Sequence, residues 1–270
     1  MSWEKTNRER VRHIRYGERL FYRMYTEMRQ QLSAQLQRVQ TTEAITAIAD
    51  QFSPKVEATD YFKRFYARAG VAFAKSTFRT LKAASGKWER KDINAEIRNS
   101  IFLEKLFKYV EEKCGFKIEA TIHNEIADIV SIARAAVSKA TAEGWGVDKT
   151  VKEMMRSIQQ RHEWKAMRIA RTEIVSASNY GAYMGAAESG VETEKIWLAT
   201  GYPGPSGYMR EDHLEMNERR VNIDEPFILP DGYEMPFPGE GPAHHVINCR
   251  CTVAFEPKGG GLTAQLLGEI

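Results

Sequence analysis

Cysteine is scarce in this chain: three among 270 residues. That excludes a disulfide framework, and an odd count fits a reducing compartment. Proline is nearly missing from the first three quarters. Eight of the nine prolines lie between Pro203 and Pro257, and the ninth is Pro54. Because proline is poorly tolerated inside helices, the early part can be largely helical and the last quarter cannot. Long uncharged runs are lacking too, so no segment reads as a membrane span. The opening "MSWEKTNRERVRHIR" is too charged for a signal peptide. These absences predict a soluble protein made in the cytoplasm, with no membrane partner. Nor does the chain carry a glycine-rich phosphate loop, a Ser-His-Asp spacing or a dinucleotide fingerprint.

What is present is an ordinary globular balance, 43% hydrophobic and 28% charged, with a net charge of +3. That charge is too small to indicate nucleic acid by itself. Its distribution is uneven: the first thirty residues hold eight Lys or Arg and four Glu. Arg8, Arg12, Arg15 and Arg19 are the candidate DNA-contacting residues of this arm, against the plainer reading of a solvated helix face.

From Val11 the apolar residues Ile14, Phe21, Tyr25, Met28, Leu32 and Val39 follow a heptad register of alternating three and four, broken only at Glu18 and Gln35. This predicts a long helix packed in a bundle or against a partner subunit. A second helix is expected over "SPKVEATDYFKRFYARAGVAFAKSTFRTLKAASG", closing near Gly86. A third is expected over "AEIRNSIFLEKLFKYVEEKCG", with Gly115 as its C-cap. A fourth would begin at His123 and a fifth near Asp148 as N-cap. After a break at "RHEW" a thin helix follows, kept narrow by Ser176, Ala177, Gly181, Ala182, Gly185 and Ala186 so that another element can approach closely. Cys114 reads as a structural thiol, and His13, His123 and His162 as surface or half-buried imidazoles.

Beyond Gly190 the pattern changes to short strands. "TEKIWLAT", "RRVNI", "PFILP" and "INCRCTVAF" are separated by turn-rich segments, of which "GYPGPSGYMR" is a loop. The expected fold class is therefore α+β, with a helical region at residues 1–145. A smaller domain at 146–257 would pack a long helix on a short, mostly antiparallel sheet, and a flexible tail would occupy 258–270. Trp197 and Phe227 are expected in the core of the smaller domain.

Candidate chemistry concentrates in Asp212, His213, His244, His245, Cys249 and Cys251. Thiolate and imidazole are the natural ligands of zinc. Cys-x-Cys on a strand puts both sulfurs on one face. His213, Cys249 and Cys251 are thus the candidate metal ligands, with one of His244 or His245 completing the four that a structural zinc needs. The alternative is two small buried side chains on the core face. A Cys249 nucleophile activated by His213 or His245, or a metal-dependent nuclease built on Asp212, His213 and Asn248, are the enzymatic alternatives. No nucleophile-bearing turn or oxyanion loop surrounds the cysteines, so no active site is assigned.

Five pieces in fixed order carry a resemblance: "IARTEIVSASNYGAYMGAAESGV", "KIWLATG", "MREDHLEMNERRVNIDEPF", the Val221 and Pro226-Phe227 segment within it, and "INCRC". Over residues 166–257 the chain resembles the phage head-morphogenesis family, minor head proteins similar to the F protein of phage Mu. The matching residues are Arg171, Thr172 and Glu173; Lys195 and Trp197; Arg210 and His213; and Asn248, Cys249, Arg250 and Cys251. The resemblance implies a low-copy virion component in the capsid interior, assembled in the host cytoplasm. Its expected partner is the portal protein or inner capsid, with weak, non-specific DNA contact. Its roles would lie in procapsid assembly, DNA packaging or ejection at the portal vertex. A zinc- or cysteine-dependent hydrolase or nuclease carried in the phage head is the alternative. Arg171, Glu173, His213 and Asn248 are expected to form a structural polar network joining helix, turn and closing strand.

Overall fold

A computed structural model describes residues 3–86, 100–199 and 210–259. The expected helix start at 95–99, residues 201–209 of the expected proline-rich loop and most of the expected tail lie outside the described residues. The fold is α+β. Among the described residues, five longer helices come first: α1 (Trp3–Leu36), α2 (Thr42–Gln51), α3 (Ala58–Ala84), α4 (Ser100–Glu143) and α5 (Val147–Ala187). Then follow β1 (Thr193–Leu198), the one-turn helix α6 (Glu211–Glu215), β2 (Arg220–Asn222), β3 (Phe227–Ile228), β4 (Glu234–Met235), α7 (Ala243–Val246) and β5 (Thr252–Pro257).

Two expected helix breaks are absent. Gly115 lies inside α4, where a methyl group added at its Cα would meet nothing within 4 Å. An isolated glycine costs a helix about 1 kcal/mol, too little to end one that tertiary packing supports. "RHEW" lies inside α5 because His162 and Lys165 bury polar groups that find partners. The α2 helix has a start signal that the apolar pattern obscured. Thr41 accepts a hydrogen bond from the Ala44 amide at 3.3 Å, and Glu43 sits in the first turn. The heptad expectation also slips at the beginning of α1. Val11 is 43% exposed, whereas Arg10 and His13 are buried.

The chain divides into two compact units, each assembled from separated segments. One comprises Tyr16–Phe62 and Val110–Ile169. Its apolar core joins Leu32, Leu36, Ile45, Phe52, Ile129 and Met154, with Phe21 meeting Phe62 edge-on at 5.0 Å. The same unit holds a buried polar cluster. The Glu125 carboxylate bonds His162 Nε2 and Lys165 Nζ, each at 2.7 Å, and Lys165 also reaches Asp128 at 2.6 Å. Tyr25 stacks on His162 with 4.8 Å between ring centres. His162 is thus fully buried rather than a surface or half-buried imidazole, tolerated because Glu125 pairs with it. Cys114 is buried in this unit as well.

The other unit comprises Met1–Arg15, Lys63–Tyr109 and Ala170–Ile270. Neither unit coincides with the linear division near residue 145. Here the small residues of α5 meet α3 almost backbone to backbone, at Gly181 against Gly70 and at Gly185 against Ala74. The sheet has the order β2-β1-β5, all antiparallel, with Trp197 opposite Val253 and Lys195 opposite Phe255. A separate β3-β4 hairpin brings Phe227 beneath Trp197, edge to face at 5.3 Å. Both rings are fully buried. Their place in the core follows from alternation in β1 and from the apolar flank of Phe227.

Candidate functional site

The Asn-Cys-Arg-Cys segment precedes β5 rather than lying in it. After α7 the chain turns sharply at Asn248, whose φ of 59° lies in the left-handed region. Asparagine is among the few non-glycine residues that adopt this conformation readily. The Asn248 amide donates to Thr172 Oγ1 at 3.4 Å, fastening the turn to α5. The extended stretch that follows buries Cys249 and Cys251 and leaves Arg250 exposed. The alternation anticipated for a strand therefore holds in a segment that is not ladder-paired.

His213 comes from α6, whose entry is fixed by Arg210 donating to the Ile247 carbonyl at 2.8 Å. The His213 ring lies edge-on to Trp197 at 5.2 Å and stacks against His245 at 5.6 Å. Its Nδ1 lies 3.5 Å from Cys249 Sγ and 3.7 Å from Cys251 Sγ. All three residues are buried, and their donor atoms lie within 4.8 Å of one another. The three sequence candidates for a metal site are thus brought together. Asp212, His244 and His245 lie beside them. His245 is engaged by two carboxylates, Asp212 at 3.4 Å from its Nδ1 and Asp231 at 3.0 Å from its Nε2.

The cluster favours anionic sulfur. The Cys249 thiol is held well below its usual range, chiefly by the Cys251 side chain bonding to it and then by His213. Such a group can ligate a metal or act as a thiolate.

The buried arginine behind the site escaped sequence reading. Arg10 of α1 donates from Nε to Ser178 Oγ at 2.9 Å and from Nη2 to Asn179 Oδ1 at 2.9 Å. Its Nη1 reaches the Arg250 carbonyl at 3.0 Å, and Nη2 the Cys251 carbonyl at 3.5 Å. Burial lowers its pKa to about 10, and the two cysteines act against that fall. Asn179 completes the frame by donating to the carbonyls of Pro238, at 2.7 Å, and Cys251, at 3.1 Å. A polar residue amid the small ones of the thin helix was the available signal for Asn179. Arg10 had none, being one of many arginines in a basic arm.

The four residues expected to share one polar network occupy different surroundings. Arg171 is exposed. Glu173 is buried and accepts from the Tyr66 hydroxyl at 2.7 Å, linking α5 to α3. His213 faces the cysteines, and Asn248 makes the turn. Thr172, between Arg171 and Glu173, provides the contact to the closing segment. The candidate DNA-contacting residues Arg8, Arg12, Arg15 and Arg19 are all exposed, and Arg12 pairs with Glu9 at 3.2 Å.

Comparison with known proteins gives these features a family. The model of the family described as Phage Mu protein F like protein matches residues 131–254. That region, which starts earlier than the motifs alone suggested and takes in all of α5, is thus similar to the phage head-morphogenesis family. The chain is also 36% identical over 92 residues to the NAD(+)--arginine ADP-ribosyltransferase EFV of Enterococcus faecalis. The shared stretch is 33% of this chain and only 18% of that protein. No solved structure matches significantly. Among the described residues no helix is long and apolar enough to cross a membrane.

Proposed function

We propose that this chain is a minor head protein acting at the portal vertex, docked to the portal or inner capsid and touching packaged DNA weakly through the exposed arginines of α1. The observation that carries the reading is the family match over residues 131–254. The exposed arginines support the DNA contact. Arg8, Arg12, Arg15 and Arg19 follow one another at four, three and four residues, so they share one side of α1. Arg10, on the other side, is engaged internally.

Removing the whole amino-terminal arm would be a poor test, because Arg10 belongs to the core of the unit containing the sheet. Charge reversal of Arg8, Arg12, Arg15 and Arg19 to Glu in the full chain is the cleaner experiment. DNA affinity of the unaltered protein should fall with salt by a log–log slope of about −0.9 per phosphate neutralised, and the reversal should remove it. Salt-independent binding would refute the DNA contact. Docking is read separately, by co-purification with portal protein and by incorporation into procapsids. Procapsids that exclude the unaltered chain would refute the portal reading. A hydrolytic role is less well supported, since His213, Cys249 and Cys251 are only 2%, 3% and 4% exposed.

A further inference from the structure

We propose that His213 Nδ1 and the thiolates of Cys249 and Cys251 are three protein ligands that hold one zinc ion. Tetrahedral zinc with Zn–S near 2.3 Å and Zn–N near 2.0–2.1 Å sets its sulfur and nitrogen ligands about 3.6 Å apart. The observed separations from Nδ1 are 3.5 Å to Cys249 Sγ and 3.7 Å to Cys251 Sγ. One imidazole nitrogen therefore stands at ligand spacing from two sulfurs at once. A single N–H can point well at only one acceptor, so hydrogen bonding alone accounts for one of these approaches and not the pair. A cation between the three atoms accounts for both.

The surroundings hold the ligands in place by ring packing and by hydrogen bonds to the cysteine backbone. Trp197 and His245 hold the imidazole from two sides. Arg10 and Asn179 fix the backbone of the cysteine segment by bonding to the Cys251 carbonyl, and Asn179 Oδ1 also accepts from the Val253 amide at 3.3 Å. Such second-layer contacts are what keep metal ligands in register. His245 is held beside the three ligands by its Nε2, which pairs with Asp231 at 3.0 Å. The same pairing explains the neighbouring group of Asp231, His244 and His245 without a second ion. The ion would cross-link α6 to the segment entering β5, and its binding energy would add to folding.

Full-length protein purified without chelator should carry zinc in stoichiometric amount by elemental mass spectrometry. Exchange for Co2+ should give intense visible bands of tetrahedral cobalt and a near-ultraviolet thiolate-to-cobalt band. Cys114→Ser should leave that spectrum unchanged, Cys249→Ser or Cys251→Ser should weaken it, and His213→Gln should shift it. Adding a chelator should raise the alkylation of Cys249 and Cys251 and leave that of Cys114, buried in the other unit, unchanged. Absence of a thiolate-to-cobalt band in the unaltered protein overturns the proposal, and this reading does not depend on any variant folding. Full metal content in the Cys249→Ser/Cys251→Ser double variant also overturns it, since the ion would then be bound elsewhere. A Cys249–Cys251 disulfide in freshly isolated, chelator-free protein would do the same.

Discussion

Gly181 of α5 lies against Gly70 of α3 so closely that a Cβ on Gly181 would stand 2.7 Å from the Gly70 Cα and nearer still to its carbonyl oxygen. One residue pair along, a Cβ on Gly185 would stand 2.9 Å from the Ala74 Cα. These obstacles are backbone, which cannot rotate aside as a side chain can. Overpacking costs typically about 1–3 kcal/mol and more where nothing can yield. Gly181→Ala and Gly185→Ala should therefore each destabilise by at least about 2 kcal/mol in chemical denaturation, despite the better helix propensity of alanine. Gly115→Ala, in an open part of α4, should instead stabilise by up to about 1 kcal/mol. Equal effects at all three positions would remove the close-packing account.

Much of this arrangement could be read in the sequence, and the exceptions share a cause. Small residues in α5 announced a close approach, the alternation in β1 placed Trp197, and Cys-x-Cys announced two sulfurs facing one way. The heptad stripe misplaced the start of α1 because a binary apolar pattern cannot see a buried Arg10 whose partners lie about 170 and 240 positions away. The predicted breaks in α4 and α5 failed for a related reason. Helix ends were judged from local signals at Gly115 and "RHEW", while long-range packing carried both helices through. Arg171 invited a role because charged motif residues stand out. Thr172, which is less conspicuous, makes the contact.

Glu125 is nearly inaccessible to solvent and bonds two buried partners, His162 and Lys165. Removing one member of a buried ionic cluster leaves the others desolvated and costs about 3–5 kcal/mol. Glu125→Ala should approach that loss in thermal or urea unfolding. Asp50→Ala is the control: its partner Arg134 is largely exposed, and surface pairs contribute about 0–1 kcal/mol. A mild Glu125→Ala would show that water enters the cluster.

Lys195 is a buried cation beside Phe227, with its ammonium donating to the Pro236 carbonyl at 2.7 Å. Burial lowers its pKa to about 8, partly countered by Asp224, Glu225 and Glu240. An unfolded lysine titrates near 10.4. Between about pH 8 and pH 10 the unfolded chain thus binds more protons at this residue than the native one, and its contribution to stability rises with pH. The stability difference between the unaltered protein and Lys195→Met should shift in favour of the unaltered protein across that window. A difference that stays flat would place the native pKa near its ordinary value.

Arg10 makes the sharpest contrast among the amino-terminal arginines. Its guanidinium reaches Ser178, Asn179 and two main-chain carbonyls of the cysteine segment. Hydrogen bonds to a charged group are worth about 1.5–3 kcal/mol, and each buried acceptor left without a donor adds a penalty. Arg10→Ala should therefore cost about 3 kcal/mol or more and speed hydrogen exchange in β5, the strand that follows the released carbonyls. Arg10→Lys should recover only part of this, because an ammonium on a flexible stem cannot reproduce a planar fork with donors on several sides. Arg8→Ala and Arg12→Ala, on exposed positions, should stay within about 0.5 kcal/mol. If Arg10→Ala were as mild as Arg12→Ala, the arginine would be a passenger, and the cysteine segment would owe its position to Asn179 and the Asn248 turn alone.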